Sequence, residues 1–384
     1  MDKKVRELIQ KEEENQKNRV YLIPSENFAS EETLAALSSC LSNKYAEGYP
    51  GRRYYQGNEV IDEIENLAIE RAKKIFKVEH VNVQPYSGSP ANSAVEMALL
   101  EPGDKICGLK LSAGGHLTHG HPKITFSGKF FESVQYDVEE DGRIDYDKLE
   151  RFVLKEKPKL IVAGTTAYPY ELDFKRFGEI ADKVNAWLLA DISHIAGLVV
   201  GGVHQSPVDY VDVIMTTTHK SLRGPRGAII GITKKGLKRD PDLTKKIDKA
   251  VFPGLQGGPH ENTIAAMAVA FKEADSQEFK DYAEQIIKNA KALEESLRGE
   301  GLKVFGTENH LMVVEVGFEK GKEVAVKLEE EGIIVNANTV PHDKANPFRP
   351  SGIRIGSPAM TSRGWMEKDF RALGKRMSKV IKSV

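Results

Sequence analysis

The sequence has few cysteines, no long apolar run and no excess of charge of either sign. Its two cysteines, Cys40 and Cys107, lack the spacing of metal ligands, which argues against a disulfide scaffold or a cysteine zinc site. No run approaches the roughly 18 apolar residues of a membrane helix. With 55 Lys and Arg against 56 Asp and Glu, the chain has no basic excess for nucleic acid. We therefore expect a cytoplasmic protein without a resident metal, a nucleic-acid partner or a membrane association, since its polar first residues do not resemble a targeting peptide.

The 384 residues suffice for two or three domains. From about residue 80, short apolar segments alternate with amphipathic helical patterns, which predicts an α/β fold with a largely parallel sheet covered by helices on both faces. After residue 260 the pattern favours a long helical stretch over about 261–299 and then a smaller α+β unit. We expect an N-terminal helical arm (1–30), a large domain (31–270) and a small domain (271–384). The predicted sheet strands are 81–84, 105–109, 159–163, 187–190, 211–215 and 227–232.

Ligands of open α/β sheets bind beyond the carboxyl ends of the strands, so the residues that follow each strand matter most. The first strand leads into Ser87-Gly88-Ser89-Pro90. Ser89 is predicted to cap the next helix, with Pro90 in its first position. A glycine turn, two hydroxyls and free helix amides would form an anion site, most often for phosphate. An ordinary capped turn is the alternative.

Two further strands end in residues that could carry chemistry. Asp191 ends one of them and could bind a metal, a ribose or a protonated ring nitrogen, although it could also cap a loop. Lys220 follows another and could form a Schiff base if its pKa were lowered, although most lysines are solvated charges. A phosphate loop, an Asp and a Lys in this order predict a pyridoxal phosphate site. His116 could stack on the cofactor ring, or it could form a zinc pair with His119.

On these residues and on longer motifs, the chain resembles the serine hydroxymethyltransferases, pyridoxal-phosphate enzymes of the aspartate-aminotransferase-like fold (fold type I). The resemblance runs from about residue 20 to about residue 365. It implies a seven-stranded-type sheet in the large domain and a C-terminal tail shorter than is usual in the family. The matching segments include NKYAEGYPGRRYY (43–55), VQPYSGSPAN (83–92), GGHLTHG (114–120), TTTHKSLRGPRG (216–227), VFPGLQGGP (251–259) and SGIRIGSPA (351–359).

The resemblance also implies which residues hold the cofactor. Lys220 would carry it as a Schiff base, Asp191 would pair with its pyridine nitrogen, and His116 would stack on its ring. His194 would hydrogen-bond a cofactor oxygen. The remaining cofactor contacts would come from Thr166, from the phosphate-binding residues Ser87, Gly88 and Ser89, and from Gly257 and Gly258 of a second subunit.

Substrate residues follow from the same resemblance. Arg354 would clamp the carboxylate of the amino acid, which suits a planar guanidinium, and Ser25 would be a second carboxylate contact. Glu47 would be the acid–base group, in a segment with Tyr45 and Tyr55 that reaches across a dimer interface. The implied folate contacts are Leu111, Gly115, Leu117 and Asn338, with Phe252 from the neighbouring subunit.

The implied reaction is the reversible conversion of L-serine and tetrahydrofolate to glycine and methylenetetrahydrofolate, through an external aldimine and a quinonoid, in a homodimer or a tetramer. Several alternatives remain. The enzyme could be a folate-independent threonine or β-hydroxy-amino-acid aldolase, or it could use a modified pterin. The chain could also be a catalytically silent homologue kept for binding. The two tyrosines could be packing aromatics, and Leu111 and Leu117 could be ordinary core residues.

Overall fold

The computed structural model describes residues 1–384. Fifteen α-helices are numbered in chain order: α1 (Lys3–Asn18), α2 (Glu31–Leu37), α3 (Glu59–Phe76), α4 (Gly88–Leu99), α5 (Phe126–Phe130), α6 (Tyr146–Glu156), α7 (Phe174–Lys183), α8 (Ala196–Val200), α9 (Lys234–Arg239), α10 (Leu243–Lys249), α11 (Glu261–Ala274), α12 (Gln277–Gly299), α13 (Gly321–Glu330), α14 (Pro358–Ser362) and α15 (Glu367–Lys382). None of them combines the length and the apolarity that crossing a membrane requires.

The strands form one large sheet, one small sheet and two short pairs. In chain order they are β1 (Val20–Tyr21), β2 (Gly48–Tyr49), β3 (Arg52–Arg53), β4 (His80–Asn82), β5 (Lys105–Leu109), β6 (Glu132–Tyr136), β7 (Leu160–Gly164), β8 (Trp187–Asp191), β9 (Val213–Thr217), β10 (Ala228–Ile232), β11 (Lys303–Phe305), β12 (Leu311–Glu315), β13 (Ile333–Ile334), β14 (Asn336–Asn338) and β15 (Gly352–Gly356).

The large sheet has seven strands in the order β4-β10-β9-β8-β7-β5-β6. Strands β5 to β9 run parallel, and β10 is antiparallel to both of its neighbours. The prediction of an α/β fold with a mostly parallel sheet is therefore confirmed. The seventh strand, β6, was not predicted, because its sequence ESVQY is half polar and it lies, only partly buried, at the edge of the sheet.

Apolar side chains pack on both faces of this sheet. One face carries the largest core cluster, which includes Phe174, Phe177 and Phe271, and the other carries a cluster with Val95 and Met215. Strands covered on both sides need apolar residues at every position, which explains why five of the seven appeared in the sequence as continuous apolar runs.

A four-stranded sheet, β11-β12-β15-β14, organises the C-terminal part of the chain. Its core cluster includes Leu293 from α12, Phe370 from α15 and Ile353 from β15. The N-terminal segment joins this unit, because β1 pairs in parallel with β13. The domain boundaries at residues 30 and 270 stay predictions.

Serines interrupt the helical pattern at two places. The helix capped by Ser30 ends at Leu37, and a 3₁₀ turn follows from Cys40. The predicted helical stretch over about 261–299 forms two helices, since the side chain of Ser276 accepts a hydrogen bond from the amide of Phe279 and caps a new helix. Serines in both places favour caps and turns over helix interiors.

Candidate active site

Three neighbouring parallel strands end at one cavity of about 230 Å³. Thr166 follows β7, Asp191 ends β8, and Lys220 follows β9. Parallel strands present their carboxyl ends at one edge of the sheet, so the topology alone brings these side chains together. The predicted site residues that line the cavity are Ser87, Gly88, Ser89, His116, Thr166, Asp191 and Lys220.

Asp191 is a buried carboxylate with three hydrogen-bond donors. His119 Nε2 lies 2.8 Å from Oδ2, the side-chain amide of Asn92 donates to the same oxygen at 3.0 Å, and the amide of Ser193 donates to Oδ1 at 3.1 Å. Burial by itself raises the pKa of Asp191, but the hydrogen bond from His119 and the charges of His119 and Lys220 outweigh it and hold the pKa well below its usual value. The carboxylate is therefore ionised at any physiological pH.

Lys220 is the only lysine on the cavity wall. Burial lowers its pKa to about 8, with help from the positive charges of Arg354 and Arg226, while Asp191 opposes the shift. A lysine with this pKa has a substantial neutral fraction near pH 7 to 8, as nucleophilic attack on a carbonyl group requires.

His116 lies on the cavity wall as a neutral ring. Its Nδ1 is 2.7 Å from Thr118 Oγ1, and Asn92 donates to the same hydroxyl at 2.8 Å. Burial, followed by the neighbouring charge of His119, lowers the pKa of His116 to about 4. Because His119 is bonded to Asp191, both imidazoles have partners within the chain, and no group of three or more His, Cys, Asp or Glu residues is arranged to hold a metal.

The helix after β4 corrects one sequence prediction. α4 begins at Gly88 with Ser87 as its N-cap, so Ser89 and Pro90 lie inside the first turn. The predicted cap at Ser89 is wrong by two positions, because the backbone turns into the helix directly after the extended Ser87. The Ser87 hydroxyl caps no amide of that turn, which leaves amides free at the cavity for an anion. A Cβ at Gly88 would come within 2.8 Å of Thr217 Cγ2, so only glycine fits here.

Arg354 approaches the cavity from β15 of the small sheet. Its Nη1 donates to the carbonyl of Thr166 at 2.7 Å, and its Nε donates to Asn336 Oδ1 at 3.0 Å. Burial lowers its pKa to about 10, so it remains a cation at neutral pH. A carboxylate bound beside Thr166 would therefore meet a positive charge held in place by two hydrogen bonds.

Like Arg354, two further predicted residues lie near this cavity without lining it. His194 is buried, with its Nδ1 3.3 Å from His310 Nε2. Ser25 lines a neighbouring cavity of about 380 Å³ that shares His219 and Arg226 with the first.

A second group of predicted residues gathers elsewhere on the chain. Tyr45 donates to Glu47 Oε1 at 3.3 Å and packs edge-on against Tyr55, with ring centroids 5.3 Å apart. A Cβ at Gly257 would lie 3.3 Å from Glu47 Oε1, and one at Gly258 would lie 3.6 Å from the Tyr45 ring. We call these five residues the tyrosine–glutamate cluster; none of them lines the cavity of Lys220, and Tyr45 is 59% exposed.

Arg53 fixes the backbone of this cluster. The guanidinium donates to the carbonyls of Ala46 and Gly48, on either side of Glu47, at 2.8 and 3.0 Å. It is paired with Asp62 at 2.8 Å and with the buried Glu65 at 2.6 Å. All three of its nitrogens are thus engaged, so the backbone on both sides of Glu47 is held by an arginine that is itself fixed by a buried ion pair.

The predicted folate residues divide between the two regions. Leu111 and Leu117 are each 41% exposed, and the carbonyl of Gly115 accepts a hydrogen bond from Thr166 at 2.7 Å. Asn338 borders a narrow cleft with Gly114. Phe252 is buried and packs against Tyr54, beside the tyrosine–glutamate cluster.

Sequence reasoning missed the roles of the residues that orient the predicted ones, and it considered His119 only as a possible zinc partner of His116. Asn92, His119 and Ser193 surround Asp191, and Asn336 holds Arg354. His119 follows His116 by three residues, and Asn92 lies one helical turn after Ser89. This spacing, and the position of Ser193 two residues after Asp191, were the signals in the sequence that these residues share the site.

Comparison with known proteins matches the whole site region to one family. The family model described as serine hydroxymethyltransferase matches residues 1–377. A serine hydroxymethyltransferase of Desulfotalea psychrophila is 52% identical over 99% of this chain and 88% of its own length. A probable serine hydroxymethyltransferase of Mesomycoplasma hyopneumoniae is 51% identical over 99% of this chain and 91% of its own length. The chain belongs to the serine hydroxymethyltransferase family and is an enzyme that transfers one-carbon groups.

Proposed function

We propose that this enzyme holds pyridoxal 5'-phosphate in the cavity beside Lys220 and moves the hydroxymethyl carbon of L-serine reversibly to tetrahydrofolate, in the cytoplasm. The products are glycine and methylenetetrahydrofolate. One observation carries the proposal: a lysine with a pKa of about 8, an ionised buried carboxylate and a free helix N-terminus surround one cavity. They do so in a chain 52% identical to a serine hydroxymethyltransferase.

The residues of the cavity fit the cofactor. Lys220 would hold it covalently, Asp191 would pair with its ring nitrogen, and Ser87, Gly88 and Ser89 would hold its phosphate. The buried hydroxyl of Thr217, which has no hydrogen-bond partner within the chain, borders the same cavity. When bound, pyridoxal phosphate supplies a ring that accepts the electron pair released as the Cα–Cβ bond of serine breaks.

The chain's own groups then have defined tasks. Asp191 stays ionised and would therefore hold a proton on the ring nitrogen of the bound cofactor, which would strengthen the ring as an electron acceptor. Arg354 binds the substrate carboxylate through a charge-assisted pair, with Ser25 as a second contact. His116 stays neutral and can stack on the ring without adding a charge, and His194 would bond a cofactor oxygen.

The tyrosine–glutamate cluster supports a composite site. Its five residues lie apart from the chain's own Lys220 cavity, and Tyr45 and Tyr55 are exposed. We infer that two chains associate so that each cluster completes the cavity of the partner. Glu47 would exchange a proton with the serine hydroxyl there, and Gly257 and Gly258 would complete the phosphate site.

Tetrahydrofolate would bind at the rim of the composite site. Leu111 and Leu117 offer exposed apolar side chains beside the Gly115 loop, which carries His116 into the cavity. Asn338 and the partner's Phe252 would complete the contacts. A flat pterin ring suits such apolar walls with a few polar groups.

An absorbance titration tests the proposal. Purified protein mixed with pyridoxal phosphate should turn yellow, and Lys220→Ala should not give the same stable band. Addition of glycine with tetrahydrofolate should produce a strong long-wavelength band that neither compound gives alone. A cofactor band that ignores folate would instead support the aldolase or modified-pterin alternative, and no band at all would support a catalytically silent homologue.

A further inference from the structure

The side-chain amide of Gln256 connects two loops that are distant in sequence. Its Oε1 accepts a hydrogen bond from the amide of Tyr86 at 3.0 Å. Its Nε2 donates to the carbonyl of Gln84 at 2.8 Å. These bonds lie on either side of Pro85, directly before the phosphate-binding residues that begin at Ser87.

Tyr86 joins the same two loops a second time. Its hydroxyl donates to the carbonyl of Gly258 at 2.7 Å. Its ring stacks on the ring of His260, with centroids 4.2 Å apart and planes 5° from parallel. The loop of Gln256 and the entry into α4 are therefore fixed to each other by backbone, hydroxyl and ring contacts.

Few main-chain bonds could replace these contacts. Strand β4 ends at Asn82, and between there and Ser87 the carbonyl of Pro85 accepts a hydrogen bond from the amide of Ala228 at 3.2 Å. Pro85 has no N–H to donate. The amide of Gln256 satisfies a backbone donor and a backbone acceptor where the chain leaves the sheet.

We propose that Gln256 is a positioning residue for the cofactor phosphate. It fixes the approach to Ser87–Ser89 and couples that segment to the Gly257–Gly258 loop. This inference rests on the proposed function, under which the two segments serve the phosphate sites of two different subunits. Phosphate binding in one subunit then depends on the same side chain that positions the glycine loop for the other.

Gln256→Met tests this role because it keeps the side-chain length and removes both hydrogen bonds. We expect the dissociation constant for pyridoxal phosphate, measured by absorbance titration, to rise about tenfold, since two modest hydrogen bonds hold the segment. At saturating cofactor, kcat and the KM for serine should stay within about twofold of the original. Gln277→Met, at the exposed start of α12, is the matched control and should leave all three values unchanged.

Gln256→Glu separates positioning from a general structural effect. An ionised carboxylate can still accept from Tyr86 but cannot donate to Gln84, whereas a protonated carboxyl group can do both. Its cofactor affinity, divided by that of the unmodified enzyme at the same pH, should therefore begin to recover only as the pH falls towards the ordinary Glu pKa of about 4.3, in titrations between about pH 6 and about pH 4.5. Unchanged affinity in Gln256→Met, or a Gln256→Glu defect that is equal at every pH, would overturn the inference. If the unmodified enzyme bound no pyridoxal phosphate, the proposed function itself would fail.

Discussion

Lys220 should make the cofactor-free enzyme less stable at neutral pH than at alkaline pH. Burial moves its pKa from 10.5 to about 8. Below pH 8 Lys220 is positively charged in both the folded and the unfolded chain. In the folded chain the buried charge lowers the free energy of unfolding. From the difference between the two pKa values, the cost in unfolding free energy is about 3 kcal/mol at pH 7 and about 1 kcal/mol at pH 9.5. The contribution of Lys220 to the free energy of unfolding therefore rises as the pH increases from 8 to 10.5. It is lost again as the pH falls through 8.

Lys220→Met removes the charge and keeps most of the apolar stem. Urea unfolding of cofactor-free protein should show a gain in unfolding free energy, relative to the original chain, that is larger at pH 7 than at pH 9.5 by about 2 kcal/mol. The comparison at each pH cancels the titration of other groups. Lys322→Met, at an exposed position of α13, is the control and should show no such dependence. A Lys220→Met difference that is the same at both pH values would refute the reasoning.

Further predictions concern the substrate clamp and the tyrosine–glutamate cluster. Arg354→Lys should raise the KM for serine ten- to hundredfold, because an ammonium group cannot keep its bonds to Thr166 and Asn336 and also bind a carboxylate at two points; a KM within twofold in steady-state assays would contradict this. Arg53→Lys should lower kcat about tenfold with an unchanged cofactor spectrum, since the carbonyls beside Glu47 lose their shared donor. An unchanged kcat would show that Arg53 does not position Glu47. Glu47→Gln should lower folate-dependent serine cleavage by about a hundredfold or more with little change in the KM for serine; full activity would exclude Glu47 as the acid–base group.

The sequence predicted those parts of the fold that leave a local pattern. Buried parallel strands such as β7 and β8 are continuous apolar runs, and the residues that follow them face the cavity. The edge strand β6 and the strand β15, which carries Arg354, were not predicted. Edge strands are half polar, and β15 is interrupted by the arginine that the site requires.

Contacts between distant residues could not be read from the chain. Asn92 and His119 reach Asp191 across 99 and 72 residues, and Gln256 reaches Tyr86 across 170. Sheet order and helix packing bring these pairs together, and neither is encoded in local spacing. The cap at Ser89 was also predicted wrongly, because the helix starts two residues earlier, at Gly88, where a Cβ would come within 2.8 Å of Thr217 of β9.

The central claim is that Lys220 of one chain works with Glu47 of another, and subunit complementation tests it most directly. Lys220→Ala and Glu47→Gln should each be inactive as homodimers. After the two variants are mixed, unfolded and refolded together, half of the dimers should be mixed, and each mixed dimer should contain one complete site. The account predicts recovery of roughly one quarter of the original activity. No recovery in a sample shown to contain mixed dimers would mean that both residues act within one chain, and the composite site would be wrong.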